Sequence, residues 1–495
     1  MTERKSSYGK VLKSSTIVGG AQVINLIVGM VRVKFVAILI GPAGVGLVGT
    51  YTAITSMVSS LSGLGLNSSG VREVAVANGS GDAEQVGRAA LTLRRMVWLT
   101  GVIGALVLVV LAVPISLYTF KDRAHTLPLI YLASTVFFAA IQGGQMALIQ
   151  GMRKIADLAK INVLGTVVGS LFSVGLYYLY GIDGIVPSLI VLAALNLVFS
   201  WWFARKIPLP FVNLTWKESF AQTGGLVKLG FALMWSCLLV SVVGYLTRTL
   251  ISRNLGIDDV GIFQAAFNLS GVFVSFVFGS MGADFYPSLT LVAEDNEKVN
   301  CLVNEQTEIG MFLAVPGLIA TIVFAPWVIH IFYSSAFEQS IELLRWFAFG
   351  CLGKVISWPM GFILLAKGES RLFFITESLF NILHLVLIWV GMTYLGITGV
   401  AVAFVVMYLL YALGMLLVSR KLTSFTWSEG VKNIFAVFIP ISLVVFISSF
   451  FVPQDIFIYC GIVICVLSTL YCLKQITYRL GPEHRICMFI NRFIS

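Results

Sequence analysis

Charge is what this sequence is short of. Asp, Glu, Lys and Arg together make up 11% of it, against about a quarter in ordinary soluble domains. A chain so poor in charge has no polar coat to present to water, which excludes a typical soluble enzyme. The 7 cysteines are odd in number, lie mostly in apolar runs and include no CxxC pair, so neither a disulfide framework nor a thiolate zinc site is indicated. There is no GxxxxGK[ST] loop to cradle a nucleotide phosphate, and no nucleophile beside a base. The reading is therefore of a protein that is not an enzyme and has no cofactor, metal or catalytic residues.

What the chain has instead is apolar length. It is 58% hydrophobic with a mean hydropathy of +0.93, and a spanning helix needs about 20 such residues. About fourteen apolar runs can be marked, at 14–40, 45–66, 96–118, 128–150, 159–180, 184–204, 229–252, 261–283, 309–332, 343–365, 373–394, 398–419, 433–452 and 456–473. This predicts an all-α polytopic membrane protein.

With the N-terminus inside, most of the 33 Lys and Arg fall in cytoplasmic segments. The exceptions are Arg32, Lys34, Lys121, Arg123, Arg248, Arg253, Arg345 and Lys354. This positive-inside bias places both termini in the cytoplasm, 1–13 as a short lead and 474–495 as a basic tail. The net charge of +10 thus reports topology, and nucleic acid is not an expected partner. The outer connections are short, while the longest polar links, at about 67–92, 205–228 and 284–308, are cytoplasmic and should contain surface amphipathic helices.

An internal repeat orders the runs. Gly41 and Gly256, Gly181 and Gly396, and Arg205 and Arg420 are each 215 residues apart and fall at the same helix boundaries. Each copy carries an even number of spans, so the copies are parallel: a six-helix lobe at 14–228, a second at 229–430, and an extra helix pair at 431–473 outside the repeat. Such lobes are expected about an axis along the membrane normal, with a cavity between them.

Charges inside apolar runs mark candidate sites, because an ionised Lys or Arg at the bilayer centre costs about 3 kcal/mol and must face water, a partner or a ligand. Lys354, mid-span in GCLGKVISWPMG, is the clearest case; the alternatives are a ligand-facing cation or an internal salt bridge. Arg32 and Arg248 lie in the outer halves of the first and seventh runs, repeat partners, and suit an anion held between lobes. Lys34 and Arg253 are nearer the interface and expected to snorkel, while Arg345 opens the tenth run at the outer vestibule. Gln142, Gln145 and Gln150 give the fourth run a polar stripe that either contacts sugar hydroxyls or bonds neighbouring helices. Glu377 and His384 share a face with Asn381, and with Asp284 and Glu308 are the candidates for coupling H+ or Na+; a hydrated helix end and a packed His is the alternative.

Several stretches carry a family resemblance: GPAGVGL after the first run, VGIFQAAFNLSGVFVSF with YPSLT around the eighth, and RWFAFGCLGKVISWPMGFILLAKGESRLFFITE across the tenth. Over about residues 10–420 the chain resembles the polysaccharide flippases of the multidrug/oligosaccharidyl-lipid/polysaccharide exporter superfamily, of the Wzx type that moves O-antigen and enterobacterial common antigen. The resemblance implies a cationic central cavity in the bacterial inner membrane and translocation of an undecaprenyl-diphosphate-linked oligosaccharide to the periplasmic leaflet. It also implies alternating access, ion antiport as a drive, membrane lipids as surroundings, and association with polysaccharide polymerase machinery. Lys354 lies within the matching motif; the other cations are placed by topology alone. Two further readings stay open: a drug or metabolite antiporter of the same superfamily, and a membrane polymerase or ligase, which would need a catalytic outer loop.

Overall fold

The computed structural model describes residues 2–480, with side chains from residue 20 onward except 220–233, 273, 276, 280, 282–284 and 480. Among the described residues the chain is helical and forms no strand. This follows from the solvent: with no water in the bilayer core, each backbone N–H and C=O must bond within its own segment. The helices are α1 (Thr2–Ser62), α2 (Leu66–Gly79), α3 (Ala83–Phe120), α4 (Thr126–Gly151), α5 (Ile155–Tyr180), α6 (Ile185–Ala204) and α7 (Trp216–Asn254). They continue as α8 (Ile257–Leu291), α9 (Asn296–Val323), α10 (Ala325–Phe332), α11 (Ser340–Ala366), α12 (Ser370–Thr423), α13 (Glu429–Phe451) and α14 (Gln454–Leu480).

Among the described residues ten stretches are long and apolar enough to cross a membrane, and three of them, of 43, 50 and 54 residues, are far longer than one crossing. Each is broken at a glycine: Gly41 (φ 62°, ψ −170°), Gly181 (φ 56°, ψ −130°) and Gly396 (φ 59°, ψ −139°). That backbone region is closed to residues with a side chain. The apolar runs marked in the sequence fall on helices, apart from the end of the second, where α1 stops at Ser62, and the ninth, which is cut in its interior, α9 ending at Val323 and α10 starting at Ala325. Pro326 explains the cut, because it has no N–H to donate to Ile322 and it disfavours helical backbone in the residue before it.

The longest polar links differ from expectation in one respect. The first contains a separate helix, α2, but the other two are mainly extensions of spanning helices. α7 begins inside the second link with a capping box, Thr215 accepting from the Glu218 N–H and Glu218 bonding back to the Thr215 N–H. The bonds from the Thr215 backbone and side chain hold the Glu218 carboxyl below the usual carboxylate range. α9 begins inside the third link, capped by Asp295. These caps let the helices run on past the membrane without leaving backbone donors unpaired.

Repeat glycines share backbone conformation as well as spacing. Gly181 and Gly396 have nearly the same φ and ψ, and the other repeat pair, Gly41 and Gly256, are both at positive φ. The following turn also repeats. A methyl on Gly184 would strike the Leu176 carbonyl, and one on Gly399 the carbonyl of Gly391. Leu176 and Gly391 are again 215 residues apart.

Contacts divide the chain into two compact units, Met1–Gly261 and Ile262–Ser495. In the first, α3 packs along α4, α1 along α5 and α7, and α6 on α4 and α5. Gly46 lies against the carbonyl of Ile257, and Gly261 against that of Pro42, so only glycine fits at either position. In the second, α11 packs against α12 and α9, and α9 also carries α13 and α14, which have little contact with each other. Phe285, Leu289, Val303, Met360, Ile363 and Phe425 form a buried cluster in this unit.

The shared conformation of Gly181 and Gly396 makes a symmetrical prediction. Gly181→Ala and Gly396→Ala should each destabilise the protein, by about 1–3 kcal/mol for forcing a side chain into that backbone region. Thermal unfolding in detergent measures both, and no loss in either would contradict the assignment.

Candidate functional site

α11 is built to bring a partner helix unusually close. Gly350, Gly353 and Gly361 line one side of it, and the second half of α12 sets Phe404, Tyr408 and Tyr411 against them. A methyl on Gly350 would strike the Phe404 ring, and one on Gly353 would press into the Tyr408 side chain and backbone. Small residues that let helices approach are the usual means of packing where lipid removes the hydrophobic drive.

On this packed pair stands Lys354, half-buried, its Nζ 5.9 Å from the Phe278 ring centre and 6.0 Å from that of Tyr408. Phe278 is stacked on Trp358 at 4.6 Å with 7° between the planes, so the aromatic wall is fixed by the same helix that carries the lysine. Among the described residues Lys354 makes no salt bridge. An aromatic face attracts a cation without neutralising it, so the ammonium keeps its charge for another group.

Glu377 belongs to the same neighbourhood. Its carboxylate accepts a hydrogen bond from the Tyr411 hydroxyl at 3.2 Å, and Tyr411 meets Tyr408 edge-on at 6.4 Å. A row of contacts thus runs from Lys354 through two tyrosines to Glu377. His384, two turns along, lies 6.2 Å from the Phe404 ring, and Asn381 donates to the Glu377 backbone carbonyl at 2.8 Å. Sequence reasoning picked out Lys354, Glu377 and His384 but missed Phe278, Phe404, Tyr408 and Tyr411. A signal was present in the spacing of Phe404, Tyr408 and Tyr411, one face of a helix, opposite glycines on the preceding run.

Other candidates have structural partners. Arg345 donates to the Ser449 carbonyl at 2.9 Å and lies over the Phe457 ring at 5.5 Å, joining α11 to α13 and α14. Gln145 accepts from Ser200 at 2.5 Å, linking α4 to α6, and Gln142 is half-buried on α4. In the first unit Arg32 is half-buried, and Arg248 donates back to Gly244 of its own helix at 2.7 Å. Arg253 does more than snorkel: it donates to the Tyr118 carbonyl at 2.6 Å while Lys121 donates to the Arg253 carbonyl at 2.7 Å, so the ends of α3 and α7 hold each other. The side chain of Asp284 lies outside the described residues.

Glu308 is 5% exposed and is claimed from two sides. Ser428, the cap of α13, donates to it at 3.3 Å, and Arg479 of α14 forms an ion pair with it. Asn304, one turn earlier, donates to the Thr426 carbonyl and accepts from the Ser428 N–H at 3.1 and 2.8 Å. One face of α9 thereby fixes the α12–α13 connection and the end of α14. Among the described residues no cluster of His, Cys, Asp and Glu is arranged to hold a metal ion.

Comparison with known proteins supplies the context. A family model described as polysaccharide biosynthesis protein matches residues 35–342. The Lipid III flippase of Escherichia coli (strain K12) is 26% identical over 416 residues, covering 81% of this chain and 95% of that protein. The Lipid III flippase of Shigella flexneri matches to the same extent. Among solved structures, Lipid II flippase MurJ in an inward closed conformation aligns with a TM-score of 0.67 at 14% identity, over 94% of this chain and 99% of that one. An inward-facing multidrug resistance MATE family transporter of the MOP superfamily aligns with a TM-score of 0.67 at 16% identity, over 81% of this chain and 94% of that one. At these identities the two structures speak to the fold.

The Glu308 pair can be tested by its removal. Arg479→Ala leaves a buried carboxylate without its cation; because the Arg479 side chain is 40% exposed, water replaces part of the loss and about 2 kcal/mol of stability should go. Adding Glu308→Gln should recover most of it, as a double-mutant cycle in detergent would measure.

Proposed function

The chain belongs to the polysaccharide biosynthesis protein family, and from that premise we propose that it flips an undecaprenyl-diphosphate-linked oligosaccharide from the cytoplasmic to the periplasmic leaflet. The protein is a multi-pass inner-membrane transporter and not an enzyme. The observation that carries the specific reading is Lys354, an ammonium within apolar helices, with the rings of Phe278 and Tyr408 beside it and no salt bridge to a described residue. A diphosphate headgroup is the complement of such a group. Cationic drugs, the cargo of the rival reading, would be repelled by it.

Energetics agree with the direction. A diphosphate carries about two negative charges, and each gains about 2.3 kcal/mol per 100 mV on leaving a negative interior. The membrane potential therefore favours export, and coupling to H+ or Na+ entry adds to it, with Glu377 and His384 of α12 as its carriers. Glu308 and Asp284 are weaker candidates, Glu308 because it is already bound to Arg479. Arg32 and Arg248 are proposed as further phosphate-facing cations, and Gln142 as a contact for sugar hydroxyls. Arg345 and Gln145 hold helices together and are the least suited of the candidate ligands to move with a substrate.

Alternating access needs two bodies, and the sequence halves 14–228 and 229–430 are proposed to supply them, both termini lying in the cytoplasm. Cooperation with a polysaccharide polymerase follows from the place of a flippase between assembly inside and polymerisation outside.

The test is a Lys354 series scored by surface glycan export in cells lacking the native copy. Lys354→Ala should express normally and impair export at least tenfold, Lys354→Arg should retain part, and Lys354→Glu should be worst, since it sets like charge beside the headgroup. Full export by Lys354→Glu would overturn the assignment.

A further inference from the structure

Lys354 and Glu377 stand on neighbouring helices in apolar surroundings, where opposite charges attract strongly and little water competes. An ion pair between them would silence the ammonium. The aromatic row lies between them: Tyr408 against Lys354 at 6.0 Å, Tyr411 against Tyr408 at 6.4 Å, and the Tyr411 hydroxyl donating to Glu377 at 3.2 Å. We propose that Tyr408 and Tyr411 are positioning residues that keep Lys354 open to an anion, Tyr411 by holding the Glu377 carboxylate and Tyr408 by filling the gap with a ring.

Three features of the packing support this role. Tyr408 is seated by its Cβ and backbone against Gly353 of α11, and its ring packs edge-on against Phe404 at 4.7 Å. Tyr411 is braced edge-on by Phe380 at 4.9 Å on the first half of α12, the half that carries Glu377. Lys354 also has Phe278 beside it, itself stacked on Trp358, so the ammonium meets two aromatic rings and makes no salt bridge to a described residue. A ring face holds a cation loosely enough for a phosphate oxygen to take it, whereas a carboxylate at contact distance would have to be displaced. The proposal rests on the headgroup reading of Lys354 for the identity of the anion, but the spacer role itself does not depend on it.

The experiment has two readouts on the full-length protein in lipid nanodiscs. The first needs no substrate. A membrane-permeant carbodiimide condenses a carboxylate with a touching amine to an amide, with loss of one water, and peptide mass spectrometry detects a link between residues 354 and 377. Tyr411→Phe should form the link and the wild type should not. Equal yield in both, or no link in either, would overturn the spacer.

The second readout is equilibrium binding of undecaprenyl diphosphate without sugar. Tyr411→Phe should bind about tenfold more weakly, equivalent to about 1.4 kcal/mol, and Tyr411→Phe with Glu377→Gln should return to within about twofold of wild type. A double variant no better than Tyr411→Phe overturns the spacer, because the loss would then come from the missing hydroxyl itself. Lys354→Ala that binds like wild type overturns the headgroup reading instead, and the cross-link still reports on the tyrosines. Binding by the double variant near wild-type strength also shows that the Tyr411→Phe chain folds.

Discussion

The constraint on which this structure depends is that nothing polar can be left unpaired in a medium without water. For the backbone it selects helices and decides how the chain turns between them. A tight turn that keeps both helices bonded up to their ends requires positive φ, and Gly41, Gly181, Gly256 and Gly396 supply it at repeat-related places. For side chains it forces each charge to find a partner. Arg248 folds back onto Gly244, Arg345 reaches the Ser449 carbonyl and Arg253 binds the Tyr118 carbonyl, so all three satisfy helix carbonyls. Against that background Lys354 stands apart, with two aromatic rings beside it and no salt bridge to a described residue.

The same logic links the glycines of α11 to the chemistry beside them. Without Gly350 and Gly353 the second half of α12 would stand off, and the rings of Phe404 and Tyr408 would lose their seats. Tyr408 would then no longer face Lys354, and the row to Glu377 would be broken. The run GCLGKVISWPMG is therefore one device: glycines admit the aromatic helix, lysine carries the charge, and Trp358 four residues on fixes the ring on its far side.

The all-α polytopic fold was legible in the length and number of the apolar runs. The 215-residue separation became matching φ and ψ at Gly181 and Gly396, and apolar length alone located the helices. What could not be read was pairing at a distance. A polar residue in an apolar run looks the same whether it serves a ligand or a helix. Gln145 was such a residue, and its partner Ser200 is 55 positions away; Arg345 was another, with its partner 104 away. The break after Val323 was missed because hydropathy runs smoothly through Phe324 and into α10, and only the missing N–H of Pro326 marks it.

Glu308 shows what the last two helices contribute to the second unit. A carboxylate with 5% exposure in the body of α9 would cost several kcal/mol if left alone. The cap of α13 gives it a hydroxyl and the end of α14 gives it a guanidinium, from two helices that have little contact with each other and meet on α9. Removing α14 would strand the charge, and removing both would also strip Asn304 of its contacts with the chain leading into α13. A chain built on twelve spans cannot keep an ionised group at this position without another cation to meet it. The carboxylate of α9 is therefore tied to the terminal pair, and it is not tolerable in its ionised form without the cation that α14 brings.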